Sequence, residues 1–127
     1  MKIQIDPASP VPPYEQVRSQ IAALAREGRL AAGTRLPTVR QLAGDLGLAV
    51  NTVARTYREL EAAGLVETRG RHGTFVTHRA SGVPAEAERL AARYAEETRR
   101  LGLDPEQALG LVRAAFGLSE PEITAGR

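Results

Sequence analysis

The stretch that decides the fold is residues 34–77, which read TRLPTVRQLAGDLGLAVNTVARTYRELEAAGLVETRGRHGTFVT. Thr38 precedes Gln41 by three residues, the reciprocal capping-box arrangement that begins a helix. Gly47 ends that helix, and about three residues later a second helix begins and runs to about Ala63. Two helices joined by so short a turn cross steeply rather than pack antiparallel, so the spacing predicts a helix-turn-helix.

Strand-like and helical segments flank this pair. Residues 65–69 and 74–77 alternate in polarity around a glycine-containing link, which predicts a β-hairpin. Upstream, Pro12 or Pro13 opens a helix that ends before Gly28, and the alternation of residues 3–5 predicts a short strand. The predicted fold is mainly α with a small β-hairpin: a winged helix-turn-helix over residues 1–79.

Residues 80–127 are predicted to form a short helical dimerisation segment. They contain two amphipathic helices, the second opened by Asp104 with Gln107 three residues later. So few residues bury too little apolar surface to stand alone, so the same segment of a second chain is expected to cover them. Residues 119–127 are expected to fray. The apolar residues predicted to form the homodimer contact are Leu90, Tyr94, Leu101, Leu109, Val112 and Phe116.

Composition excludes several classes of protein. With 43% hydrophobic and 25% charged residues, the chain resembles an ordinary globular protein. It has neither an apolar run long enough for a membrane span nor the apolar core of a signal peptide, so a cytoplasmic location is expected. Two histidines and no cysteine form no metal constellation, and no catalytic grouping or phosphate loop occurs. The sequence therefore predicts a protein that is not an enzyme and needs no cofactor or metal.

Charge is unevenly distributed along the chain. Residues 1–80 carry eleven Lys and Arg against seven Asp and Glu, whereas residues 81–127 carry six against eight. A basic front and an acidic rear indicate that only the front meets a polyanion.

The second helix of the pair sorts its side chains into two faces. One face, which is predicted to pack inward, carries Val53, Thr56, Tyr57 and Leu60. The opposite face carries Asn51, Thr52 and Arg55. Asn can hold adenine and Arg can hold guanine through paired hydrogen bonds, so this face is expected to read bases. Contacts with DNA phosphates are assigned to residues just before and within the preceding helix: Arg35, Thr38 and Arg40. Further contacts with DNA are assigned to the tip of the hairpin, which is the wing: Arg71, His72 and Gly73. The alternative is that these are ordinary solvated polar residues.

These motifs resemble the GntR family of bacterial transcription regulators, in residues 33–43, 51–53, 59–66 and 73–76. The chain is most similar to the YtrA-type subfamily, because of residues 3–6, 13–16 and 51–57 and the short helical tail. The resemblance implies a homodimer that binds a palindromic operator. It also implies that the second helix of the pair, the recognition helix, contacts double-stranded DNA together with the wing. It places Arg35, Thr38, Arg40, Asn51, Thr52, His72 and Gly73 at positions that touch DNA in relatives. Arg55 comes from the helix face alone.

One departure concerns the start of the recognition helix. Ala49 stands where many relatives have Ser or Asn, so this helix is expected to lack a side-chain N-cap.

The sequence thus predicts a sequence-specific DNA-binding transcription regulator that acts as a homodimeric repressor. The alternative is a winged-helix module that binds protein and has no sequence-specific DNA binding. A small-molecule effector is left open, since nothing in the sequence identifies one.

Overall fold

Helices dominate the computed structural model, which describes residues 1–118. The helices of that part are α1 (Pro13–Arg26), α2 (Val39–Leu46), α3 (Val50–Ala62), α4 (Ala85–Arg100) and α5 (Pro105–Ala115), and the strands are β1 (Val66–Thr68) and β2 (Thr74–Val76). Single turns of 3-10 helix occupy Gly70–His72 and His78–Ala80. The mainly α fold with a small hairpin is confirmed. The fraying expected of residues 119–127 lies outside the described residues.

The strand predicted around residues 3–5 is wrong, because side chains of α1 occupy the backbone groups that a strand would pair. The Gln4 N–H donates to Gln20 Oε1 at 3.0 Å, and Gln20 Nε2 donates back to the Gln4 carbonyl at 2.7 Å. Gln16 exchanges the same two bonds with the backbone of Asp6, at 2.9 and 3.1 Å. Two glutamine amides, one turn apart on α1, therefore take the place of a partner strand.

The helix-turn-helix begins and ends as the sequence predicts. The Gln41 N–H donates to Thr38 Oγ1 at 3.0 Å and the Thr38 N–H donates to Gln41 Oε1 at 2.9 Å, which completes the capping box of α2. Gly47 ends α2 in the left-handed conformation, with φ 68°. Ala49 precedes α3 without any side-chain cap, as expected from its methyl group.

The hairpin has an additional partner that the sequence did not reveal. β1 and β2 pair antiparallel, with Val66 opposite Val76. The segment before α2 lies along the other edge of β2: the Leu36 N–H donates to the Thr74 carbonyl at 2.8 Å, and the Val76 N–H donates to the Thr34 carbonyl at 2.9 Å. The wing is therefore joined by backbone hydrogen bonds to the segment that enters α2.

The core lies where α1 and α2 pack on α3, with the hairpin closing one end. Its most completely buried side chains are Val17, Ile21, Val53, Leu60 and Val76, each at most 1% exposed. Full burial of one such side chain stabilises a fold by about 1.5–3 kcal/mol. The predicted inward face of α3 is confirmed.

The chain divides into two compact units, and the first spans Met1–Pro84. Ala80 is buried, and the Gly82 N–H donates to the Arg26 carbonyl at 3.0 Å. These contacts carry the first unit five residues past the predicted boundary after residue 79.

The second unit begins at Ala85 and contains α4 and α5. The predicted capping box of α5 is confirmed, since Asp104 Oδ1 accepts from the Gln107 N–H at 2.9 Å. The Tyr94 hydroxyl of α4 donates to the Ala108 carbonyl of α5 at 2.8 Å. Among the helices of residues 1–118, none is both long and apolar enough to cross a membrane.

Candidate nucleic-acid interface

Two hydroxyl groups on the inner face of α3 fix its position. The Thr56 hydroxyl donates to the Tyr14 carbonyl of α1 at 2.8 Å, and Thr56 is fully buried. The Tyr57 hydroxyl donates to the Pro37 carbonyl, just before the α2 cap, at 2.6 Å. Burial raises the pKa of Tyr57 to about 12. Sequence reasoning placed both residues in the core but missed these bonds, which hold α3 against α1 and the start of α2.

The outer face of α3 forms one side of a shallow groove, here called the α3 groove, lined by Pro13, Tyr14, Asn51, Thr52, Arg55 and Arg58. Three predicted DNA-reading residues, Asn51, Thr52 and Arg55, therefore come together. Asn51 and Arg55 are exposed, and Thr52 is half-buried. Amide, hydroxyl and guanidinium groups on one exposed surface are the donors and acceptors that suit base edges.

Arg55 is held from two directions within this groove. Its guanidinium carbon lies 3.7 Å from the centroid of the Tyr14 ring, a cation–π contact. Its Nε donates to Glu59 Oε2 at 3.2 Å. The Arg55–Glu59 pair was visible in the sequence as an i, i+4 spacing. The Tyr14 contact was not, because it depends on how α1 crosses α3.

Glu59 also connects Arg55 to a second pair of charges on α1. Its Oε1 lies 3.8 Å from Arg18 Nε, and Arg18 in turn forms a hydrogen-bonded ion pair with Glu15. That hydrogen bond lowers the pKa of Glu15, partial burial opposes the change, and the charges of Arg18 and Arg55 add to the lowering. The hydrogen bond with Glu15 likewise raises the pKa of Arg18. Glu15 and Arg18 thus keep each other charged, and Glu59 lies between Arg18 and Arg55.

A second groove, here called the wing groove, lies between the start of α2 and the hairpin. Its lining includes the predicted residues Arg35, Thr38, Arg71 and Gly73. Gly73 has φ 110°, and a Cβ there would lie 2.7 Å from Arg35 Nε. A side chain at this position would both strain the backbone and displace Arg35. Gly73 is therefore needed so that Arg35 can lie against the wing.

Thr38 has a hydroxyl whose two functions are separable. Its oxygen accepts from the Gln41 N–H in the capping box. A hydroxyl also carries one donor hydrogen, which the cap does not use. Thr38 can therefore begin α2 and still donate to a phosphate oxygen.

Arg40 and His72 line neither groove. Both are exposed, Arg40 on α2 and His72 in the 3-10 turn at the wing tip. The structure thus collects seven of the nine predicted DNA-facing residues into two grooves of the first unit and leaves these two on the surface beside them.

A family model describes residues 13–76, which span both grooves: it is that of the bacterial regulatory proteins of the gntR family. The chain belongs to the GntR family. The HTH-type transcriptional regulator Rv1152 of Mycobacterium tuberculosis is 48% identical to it, over 84% of this chain and 88% of that protein. The HTH-type transcriptional repressor YtrA of Bacillus subtilis is 36% identical, over 84% of this chain and 80% of that repressor.

Solved structures of GntR relatives agree in fold. YtrA from Sulfolobus acidocaldarius, a GntR-family transcription factor, is 33% identical with a TM-score of 0.57, over 75% of this chain and 97% of that one. AraR(DBD) in complex with operator ORX1 is 25% identical with a TM-score of 0.54, over 61% of this chain and 96% of that one. These relatives confirm the resemblance to a YtrA-type GntR regulator. They also confirm that this chain is a DNA-binding transcription regulator, in a family of regulators rather than enzymes.

Proposed function

We propose that this GntR regulator is a cytoplasmic, homodimeric repressor that reads a palindromic operator through the α3 groove and anchors on phosphates through the wing groove. The observation that carries the proposal is the character of the outer face of α3. Its exposed side chains are mostly polar or charged, and Val50, at the first residue, is the one large apolar side chain exposed on this helix. A module that binds protein instead would be expected to present a more apolar face there.

In this proposal the two grooves have different roles. Asn51, Thr52 and Arg55 supply the base contacts, because they share one polar surface of α3 and a major groove admits an α-helix. Phosphate contacts and wing contacts fix the register without reading sequence. The residues assigned to them are Arg35, Thr38, Arg40, Arg71, His72 and Gly73, and all except Thr38 and Gly73 add a cationic or ionisable side chain.

Dimerisation is assigned to the second unit. α4 and α5 leave an apolar groove between them, here called the α4–α5 groove. It includes five of the six residues predicted for dimer contact: Leu90, Tyr94, Leu109, Val112 and Phe116. Leu90 is 57% exposed and Phe116 76%. Leu101, which is 77% exposed, does not line this groove, and for that reason we leave it out of the proposed contact.

A second copy of the chain suits this groove because a two-fold contact needs a surface that is complementary to itself. The α4–α5 groove offers both a depression and two lining side chains that are more than half exposed, Leu90 and Phe116. A two-fold dimer would meet half-sites about one helical turn apart, roughly 34 Å, or a multiple of that distance.

The decisive experiment is a binding titration against the duplex that lies upstream of the protein's own gene. A scrambled duplex of the same length is the control, and both are titrated at several salt concentrations. We expect the upstream duplex to bind at least about 1,000-fold more tightly at physiological salt, the usual minimum margin between specific and non-specific binding. Equal affinity for the two duplexes would rule out sequence-specific recognition and favour the protein-binding module.

Repression is tested separately by transcription in vitro from the same upstream region. Steric occupation predicts that transcripts fall as protein is added, in step with occupancy of the operator. A rise in transcripts at the same occupancy would make the protein an activator instead.

A further inference from the structure

The α3 groove contains one side chain that is fixed before any DNA arrives. The flat face of the Arg55 guanidinium is covered by the Tyr14 ring, 3.7 Å away, and its Nε edge is bonded to Glu59 at 3.2 Å. Within residues 1–118, no other hydrogen bond of this guanidinium is found. The two terminal nitrogens, which form the far edge of the fork, therefore remain available to a ligand.

An arginine side chain that is fixed before binding loses less conformational entropy when it contacts a base than a mobile one does. A free arginine side chain has several rotatable bonds and loses that freedom when it grips a base. A side chain that is already fixed loses less, so more of the interaction is retained as affinity and as discrimination between bases. The fork geometry also matters, since the guanidinium must meet O6 and N7 of guanine in one plane.

We propose that Tyr14 and Glu59 are specificity-determining positioning residues, which hold the terminal nitrogens of Arg55 in place to read one guanine of the operator. The inference rests on the proposed function, because it concerns how the α3 groove reads DNA. Tyr14 acts through its ring face and Glu59 through its carboxylate. Neither residue needs to touch the base itself.

Arg18 of α1 makes a second charge contact with Glu59. Its Nε lies 3.8 Å from Glu59 Oε1, so Glu59 lies between two cations that come from different helices. Arg55 and Glu59 have side-chain exposures of 53% and 38%, and exposed ion pairs add little to folding stability. Removing the Glu59 charge should therefore change DNA reading far more than it changes folding.

Removing the charge of Glu59 should change affinity for DNA and discrimination between bases in opposite directions. A carboxylate on the DNA-facing helix repels phosphates, so Glu59→Gln should raise affinity for duplexes of any sequence. The same substitution should lower discrimination at the base pair that Arg55 reads. A residue that served only to stabilise the fold would not move these two quantities in opposite directions.

The test begins with the wild-type protein and a random duplex library, from which the preferred operator is selected. Duplexes that carry every single base-pair change of that operator are then titrated with wild type, Arg55→Ala, Tyr14→Leu, Tyr14→Phe and Glu59→Gln. Arg55→Ala should lose discrimination at one G·C pair by about 5- to 150-fold, the range of a good paired contact. Tyr14→Leu and Glu59→Gln should lose part of that discrimination at the same pair, and Tyr14→Phe, which keeps the ring, should retain it.

A double-mutant cycle tests whether Tyr14 acts through Arg55 or independently of it. Tyr14→Leu should cause little further loss in the Arg55→Ala background, whereas it should add its full effect to Arg35→Ala, since Arg35 lies in the wing groove. Thermal unfolding of each variant monitors folding. Glu59→Gln keeps the shape of the side chain and remains informative if Tyr14→Leu proves unstable.

Three outcomes overturn the inference. Uniform weakening across all duplexes by Tyr14→Leu and Glu59→Gln would make these residues structural. A loss in Tyr14→Phe equal to that in Tyr14→Leu would assign the effect to the hydroxyl. Failure of the wild type to select any duplex would sink the proposed function and this inference together, whereas the first two outcomes leave the proposed function intact.

Discussion

The two units of this chain differ in whether the apolar faces of their helices are covered within the unit. In the first unit, the inward stripes of α1 and α3 meet each other, and Val17, Val53 and Leu60 are fully buried. In the second unit, the stripes of α4 and α5 end in an open groove, with Leu109 59% exposed. Both units have capped amphipathic helices of ordinary length. The difference teaches that an amphipathic pattern predicts a buried face without saying whether the same unit provides the cover.

The largest expected effect comes from placing a charge in the α4–α5 groove. Phe116→Asp should convert the proposed dimer to a monomer, because it is costly to desolvate a carboxylate in an apolar contact. Affinity for a duplex with two half-sites should then fall by about 10²- to 10⁴-fold, the advantage that linking two binding modules provides. Sedimentation equilibrium and duplex titration measure the two effects.

Leu111→Asp is the matched control for this substitution. It adds the same charge within α5, five residues before the Phe116 C-cap, at a leucine that is 56% exposed and lies outside the groove. Leu111→Asp should remain dimeric. Dissociation of both variants would show that the contact covers more of α5 than the groove.

The same truncation in each unit sharpens the comparison further. Leu60→Ala should lower the free energy of unfolding by about 2–5 kcal/mol, because it leaves a cavity in the core. Leu101→Ala removes the same atoms from a side chain that is 77% exposed, and it should change that free energy by less than about 0.5 kcal/mol. Urea denaturation measures both. Similar losses in the two variants would mean that Leu101 is covered in solution, which would restore it to the dimer contact.

The buried hydroxyl of Tyr57 makes the first unit sensitive to alkali. The pKa of Tyr57 is raised to about 12, above the ordinary value of 10.0, so the folded state keeps its proton more tightly than the unfolded state does. This contribution to stability is complete below pH 10, falls as the pH rises from 10 towards 12, and amounts to roughly 2–3 kcal/mol. Denaturation at a series of pH values should show this loss in the wild type. Tyr57→Phe should lack it, and an identical pH profile in Tyr57→Phe would contradict the assignment.

The smallest effects should come from the two capping boxes, one in each unit. Thr38→Ala and Asp104→Ala should each cost about 1 kcal/mol of helix stability. For Thr38 the loss should appear in the unfolding of the first unit, with the dimer dissociation constant unchanged. For Asp104 it should appear as a dimer dissociation constant weakened by several-fold, because α5 forms part of the proposed dimer contact. Thr38→Ser, which retains the hydroxyl, is the control.

Local signals allowed most of the helical elements to be predicted. Thr38 with Gln41 and Asp104 with Gln107 are capping boxes that need only four residues of sequence, and both are present. The segment at Thr34 that pairs with β2 escaped prediction, since its partner lies some forty residues away. The strand predicted around residues 3–5 failed for a related reason: an alternating pattern does not reveal that glutamines of α1 supply the hydrogen bonds.

The candidate site likewise contains contacts that follow from local sequence and contacts that depend on how distant helices pack. Asn51, Thr52 and Arg55 share a helix face, so their grouping follows from helical spacing alone. The Tyr14 ring under Arg55 depends on where α1 crosses α3, and no spacing within one helix encodes that. Sequence therefore grouped the side chains that are proposed to face DNA, but it did not reveal the side chains that hold them.

The exposed wing tip has a consequence for how tightly this regulator can hold DNA. Arg71 and His72 are exposed and lie outside the core, while the neighbouring Gly73 sets the backbone and makes room for Arg35. Substitutions at exposed positions of this kind usually alter stability by no more than about 0.5 kcal/mol. These two positions can therefore be varied freely in a library while the hairpin keeps its pairing, so the strength of the proposed wing contact with DNA can be changed with little effect on folding.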